Sequence, residues 1–220
     1  MTAHQWFIDP AQYDRHEQRR GRRHAFETLQ PASTALVIID MVPFFVEANP
    51  YTQSIVVNVN RLAAKLRKAG GVVAWVVPAA ADLPPAKIEF FGPEVAETYR
   101  RSGGVGPPRE RLASSLDVAD NDLCVEKSTP SAFFPDGSSL TFELDDRGID
   151  TVVLAGTVAN VCVESSARDA STLGYRTILV ADAVSAVSDA DLNATLHTIY
   201  RSFGDVRSTD EVVDLFTAEG

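Results

Sequence analysis

The sequence predicts an α/β fold: a three-layer, doubly wound, mostly parallel sheet with helices on both faces. Three observations predict it. Residues 34–40, TALVIID, form a nearly continuous apolar run of the kind buried on both faces in a parallel sheet. Comparable short runs recur at 72–77, 122–126, 151–155 and 176–182, separated by stretches with helical spacing. Glycines stand where helices should end, at Gly70-Gly71, Gly148 and Gly174.

The elements follow in order. Residues 1–30 read as an N-terminal arm in which Arg15, Arg19, Arg20, Arg22 and Arg23 cluster between His4 and His24. Such a segment is either a solvated, partly helical tail or an arm that docks on a neighbouring subunit. Residues 31–220 show no internal linker and read as one domain. After the first strand, Met41-Val42-Pro43-Phe44-Phe45 reads as a loop, and a helix is predicted over 53–69. A long Pro/Gly-bearing connection over 78–108 holds a short helix near 94–101, and connections of that length usually shape access to a site. A helix over 138–147 precedes the strand at 151–155, which Gly156 closes. Asn160 is the expected N-cap of a helix running to about Gly174, and helices over 190–203 and 210–217 complete the chain. No G-x-G-x-x-G follows the first strand, so a dinucleotide fold of the Rossmann type is not indicated.

Composition narrows the function. The chain has 220 residues, 45% of them hydrophobic, and a formal net charge of −10. Nucleic acid and anionic membranes both reward basic surfaces, so neither is the expected partner. No apolar run approaches the length of a membrane span and nothing resembles a signal peptide. Two cysteines without an export signal predict reduced thiols and a cytoplasmic location, with Cys124 in an apolar strand as core.

Three polar residues fall at the carboxyl ends of predicted strands: Asp40, Lys127 and Cys162. Ligands of open α/β sheets bind in the crevice outside those ends, so the three can converge on one site for a small-molecule substrate. A thiol in the first turn of a helix feels the positive end of the macrodipole, which favours thiolate. Taken singly, each residue also has a plain role: packed cysteine, loop acid, solvated lysine. Phe44, Phe45, Trp75, Phe133 and Phe134 lie at or just beyond strand ends and are expected to line the pocket, core packing being the alternative. The histidines, His4, His16, His24 and His197, form no cluster with metal-ligand spacing, so neither metal nor cofactor is expected.

The segments IIDMVPFF, VEKSTPSAFFPDG and LAGTVANVCVESSARDA resemble, in order, the three motif blocks of the isochorismatase-like cysteine hydrolases. That family includes nicotinamidases, carbamoyl-amide hydrolases, ureidoacrylate-type amidohydrolases and isochorismatases. The resemblance covers residues 33–187 and implies an isochorismatase-like fold with Asp40 as base, Lys127 as orienting cation and Cys162 as nucleophile. It further implies an oxyanion hole of the Val158 and Cys162 backbone N–H groups, next to a cis peptide between Thr157 and Val158, and a homo-oligomer. The implied reaction is cleavage of a C–N bond in a small amide, ureido or carbamoyl compound through a thioester. Many members carry Gln where this chain has Val42, and the His-containing metal site of nicotinamidases has no counterpart, which disfavours that activity. Two alternatives stay open: vinyl-ether hydrolysis of the isochorismatase type with Asp40 as acid, and a non-catalytic thiol sensor or scaffold.

Overall fold

The computed structural model describes residues 2–217. Six strands form one sheet: β1 (Thr34–Ile39), β2 (Val72–Pro78), β3 (Leu123–Lys127), β4 (Thr151–Thr157), β5 (Arg176–Ser185) and β6 (Asp205–Arg207). Their order is β3-β2-β1-β4-β5-β6, and every neighbouring pair is parallel. The helices are α1 (Pro10–Arg20), α2 (Pro43–Ala48), α3 (Pro50–Lys68), α4 (Pro85–Phe91), α5 (Pro93–Arg101), α6 (Leu140–Asp146), α7 (Glu164–Thr172), α8 (Asp189–Ser202) and α9 (Thr209–Thr217).

Alternation along β1 explains the layers. Leu36 and Ile38 face a core shared with α3 and α9, whereas Ala35, Val37 and Ile39 face a second core shared with α6, α7 and α8. Both sides of the strand are dry, which is why its sequence shows no polar alternation. From β1 the chain winds outward to β2 and β3, then crosses to β4 on the other side of β1. The reversal leaves a crevice above the carboxyl ends of β1 and β4. There Gly156, at φ 109°, pairs with Ile39, and a Cβ at Gly156 would lie 2.2 Å from the Ile39 carbonyl oxygen. Only glycine permits that approach.

The departures from the sequence reading have physical causes. Helices α2 and α4 stand where loops were expected, and α2 to α5 each begin with proline in their first turn. Proline punctuates loops, but it also suits the first helical position, where its missing N–H costs nothing. Strand β6, only DVR, is too short to show a pattern. It stands at the edge beside β5, pairing Asp205 with Ile178.

The arm is not a solvated tail, because it packs on its own chain. Asp9 caps α1 by accepting from the Ala11 N–H, Gly21 ends it at φ 73°, and Ile8 and His16 are buried. Asn193 on α8 grips the segment before α1 at two points, donating to the Gln5 carbonyl and accepting from the Phe7 N–H, each at 2.9 Å. Asp205, fully buried, accepts from the backbone N–H groups of Ala25 and Phe26 at 2.7 and 2.9 Å.

Two expected pocket residues belong instead to the core. Trp75 lies in mid-strand, in register with Ile38 and Cys124, is fully buried on the α3 side, and donates its indole N–H to Asp122 at 2.8 Å. Asp122 precedes β3, so the indole points toward the amino edge of the sheet, away from the crevice. Phe133 is buried in the other core, its ring 5.6 Å from that of Tyr175. Trp75→Phe, which removes one of three donors from a buried carboxylate oxygen that Arg67 and the Ala119 N–H also hold, is expected to cost about 1 to 3 kcal/mol in urea unfolding. The rate of Cys162 alkylation should stay unchanged, and a slowed rate would return Trp75 to the pocket.

Candidate active site

Asp40 is the first residue past β1. Its N–H still donates to the Val76 carbonyl at 2.8 Å, continuing the β1–β2 ladder, while its φ of 57° turns the chain out of the sheet. Aspartate tolerates this left-handed conformation better than most residues. The turn places the carboxylate inside the protein, 1% exposed. Lys127 ends β3, in register with Pro78 of β2, and is 5% exposed. Its Nζ lies 2.9 Å from Asp40 Oδ2 and donates to Cys162 Sγ at 3.4 Å and to the Thr129 carbonyl at 3.2 Å. The three residues that the sequence placed at separate strand ends therefore meet in one cluster.

Cys162 follows β4 in a single π-helical turn, Ala159–Val163, that leads into α7. The peptide bond between Thr157 and Val158 is cis. Val158, not Asn160, takes the N-cap position, with no side-chain cap. Asn160 lies within the turn, exposed, and donates to Asp191 of α8 at 3.4 Å. The misassigned cap has a simple cause: the polar side chain that marks a helix start is bonded to a neighbouring helix rather than to its own backbone. The Val158 carbonyl accepts from the N–H groups of Val161 and Val163 at 3.1 and 3.2 Å, which closes the turn around Cys162.

The electrostatics overturn one expectation. Burial, the largest effect, and the Asp40 carboxylate beside it push the Cys162 thiol up to about 12, against the pull of Lys127. A helix start does not outweigh desolvation next to an anion, so the resting sulfur keeps its proton. Burial likewise holds Asp40 above the usual carboxylate range despite Lys127, and a hydrogen bond with Cys162 adds to the lysine's opposing effect. For Lys127 burial acts downward, but Asp40 and Cys162 outweigh it and hold the ammonium above its ordinary value. Asp40 Oδ1 is buried with no N–H or O–H donor among the described residues, so one acceptor in the cluster is left over.

The remaining expected pocket residues differ in their surroundings. Phe44 and Phe45 sit in α2, just after Asp40, with rings edge to face at 4.9 Å; Phe44 is exposed and Phe45 packs partly against the α3 core. Phe134 is exposed and lines a shallow depression with Thr129, Ser131, Ser165 and Arg168. Two further groups near the cluster carry little sequence signal: the Thr129 carbonyl, a backbone group that no residue type announces, and Ser166, four residues after Cys162, marked only by helical spacing. Among the described residues no group of three or more His, Cys, Asp or Glu side chains is placed to hold a metal ion, and no helix is long and apolar enough to cross a membrane.

The chain resembles known proteins in sequence and fold. The isochorismatase domain family model matches residues 34–211. An uncharacterised isochorismatase family protein from Bacillus subtilis (strain 168) is 36% identical over 182 residues, covering 82% of this chain and 93% of that protein. A ureidoacrylate amidohydrolase from Pseudomonas savastanoi pv. phaseolicola (strain 1448A / Race 6) is 30% identical over 219 residues, covering 87% of each chain. The crystal structure of a cysteine hydrolase from Pseudomonas syringae pv. phaseolicola 1448A superposes with a TM-score of 0.77 at 26% identity, covering 88% of this chain and 96% of that one.

The cluster's charges predict opposite effects of two substitutions on the thiol. Asp40→Asn removes the anion that raises it, and is expected to speed iodoacetamide labelling of Cys162 at pH 8 by about tenfold or more, one tenfold step per pH unit. Lys127→Met removes the cation that lowers it and should slow labelling. Peptide mass spectrometry separates Cys162 from Cys124, and equal rates in all three proteins would contradict the assignment.

Proposed function

Because the chain belongs to the isochorismatase family and is a hydrolase of that family, we propose that it is a cysteine amidohydrolase. In this reading it cleaves a C–N bond of a small ureido, carbamoyl or amide compound. The observation that carries the proposal is the position of one ammonium, Lys127 Nζ, within 2.9 Å of a buried carboxylate and 3.4 Å of a thiol. An acid, a cation and a thiol in mutual contact suit nucleophilic acyl transfer. The ureidoacrylate amidohydrolase at 30% identity supports the substrate class.

The steps follow from the protonation states. The resting thiol keeps its proton, and Asp40, made more basic by burial, is the acceptor that hydrogen-bonds to it. As Cys162 Sγ attacks the carbonyl carbon, its proton passes to Asp40, and Lys127 remains an ammonium that offsets the charge left on sulfur. The tetrahedral oxygen is stabilised by the backbone N–H groups of Val158 and Cys162, donors whose loss typically costs about 100-fold to 1000-fold. Asp40 returns the proton to the departing amine. Water, deprotonated by Asp40, then cleaves the thioester, which for a ureido substrate is an S-carbamoyl group.

Both alternatives lose support from the same geometry. Ether hydrolysis with Asp40 as acid gives the thiol no task, although sulfur, carboxylate and ammonium are packed together. A redox sensor works through an accessible thiolate, whereas this thiol is held protonated.

Cys162→Ala is expected to abolish release of ammonia or amine from ureido and carbamoyl compounds. Asp40→Asn should lower kcat by about 100-fold to 10,000-fold, the range of general-base catalysis. Intact-mass measurement during wild-type turnover should reveal a transient adduct on Cys162. Turnover at the wild-type rate in Cys162→Ala would sink the amidase and favour the ether hydrolase.

A further inference from the structure

We propose that Ser166 is a positioning residue for this site: its hydroxyl ties the carbonyl of Cys162 to the loop that follows Lys127, and so sets the distance between thiol and ammonium. The inference rests on the amidohydrolase reading for its catalytic consequence, though not for its geometry.

Ser166 is fully buried on α7 and uses its hydroxyl twice. The O–H donates to the Cys162 carbonyl, four residues earlier, at 2.7 Å. The oxygen accepts from the Ala132 N–H, 34 positions away in sequence, at 2.9 Å. Serine bonding back to the carbonyl four residues before it is common in helices and by itself says little. Here the second bond leaves the helix and holds the loop that leads away from Lys127.

That loop is braced from within, so a single external tie can hold it as a body. Lys127 Nζ donates to the Thr129 carbonyl at 3.2 Å, and the Thr129 hydroxyl donates to the Ser131 carbonyl at 2.8 Å. The Ser131 hydroxyl accepts from the Phe133 N–H at 3.1 Å, and the Ser128 N–H closes the base of the loop on the Gly137 carbonyl at 2.8 Å. A path of hydrogen bonds thus runs from the ammonium through the loop to Ala132, then through Ser166 to the backbone of the nucleophile. On the nucleophile's side, the tie falls just past the π-helical turn, where an extra residue per turn loosens the regular helix ladder. The contact it protects has little slack. Lys127 Nζ and Cys162 Sγ are already 3.4 Å apart, and misplacing catalytic groups by about 1 Å can cost 100-fold in rate.

The test compares wild type with Ser166→Ala, Ser166→Thr and Ser166→Cys, using kcat, KM and the rate of Cys162 alkylation at pH 9, with circular dichroism and Tm as controls for folding. Ser166→Ala is expected to lower kcat by about 10-fold to 100-fold with KM within about twofold. Cys162 alkylation should slow as the ammonium drifts from the sulfur, and Ser166→Thr, which keeps the hydroxyl, should restore both. If the alanine variant does not fold, the near-isosteric Ser166→Cys, with its weaker hydrogen bonds, should show an intermediate loss of kcat. A folded Ser166→Ala, or failing that Ser166→Cys, with wild-type kcat and alkylation rate overturns the proposal and leaves Ser166 a packing residue. Should wild type release no amine from any ureido, carbamoyl or amide compound, the amidase reading fails instead, and alkylation alone decides for or against Ser166.

Discussion

The ion pair between Asp40 and Lys127 is the constraint on which the rest of this molecule depends. Both side chains are almost entirely out of water, at 1% and 4% exposure. A buried charge is tolerable only when paired and hydrogen-bonded, and removing either partner would strand the other. Asp40 and Lys127 come from β1 and β3, with β2 between them. Strands lie about 4.8 Å apart, so the pair bridges a gap of roughly 10 Å, within reach of an extended lysine once Asp40 turns out of its strand. The left-handed backbone at Asp40 and the glycine that lets β4 close on β1 both serve this meeting. The thiol completes it as the third member, held where both charges act on it.

The parts of this arrangement that were legible in the sequence are those set by hydrophobic runs and by where they stop. β1, β2, β3 and β4 were each marked by apolar residues, and Asp40 and Lys127 were visible as polar residues ending such runs. The packing direction of large side chains was not legible. Trp75 and Phe44 are both aromatics that the sequence suggests for a pocket, yet one is buried in mid-strand against Asp122 and the other lies open on α2. What separates them is the element that carries each one and the partner available there, and only the assembled layers supply either. Phe133 and Phe134 are adjacent and also diverge, one into the core and one to the surface.

The thiol shows a second limit of local argument. From sequence, a cysteine in the first turn of a helix predicts an acidic sulfur, because the helix end is local and visible. Burial and the approach of a carboxylate from another strand are not local, and they dominate. In the proposed amidohydrolase, the nucleophile would then stay protonated until its proton is accepted, rather than rest as a thiolate.

The binding of the arm has a bearing on synthesis. Phe7 is gripped by a residue 186 positions later, and the backbone at Ala25 by one 180 positions later. Contacts this far apart in sequence form late, since the chain between them must already be in place. On the ribosome, residues 5–26 emerge before α8 and β6 and cannot settle until those elements have been made, so the nascent chain carries this segment unanchored while the sheet is being synthesised. The arm is thus among the last parts of the fold to be secured, and it marks completion of the fold rather than its start.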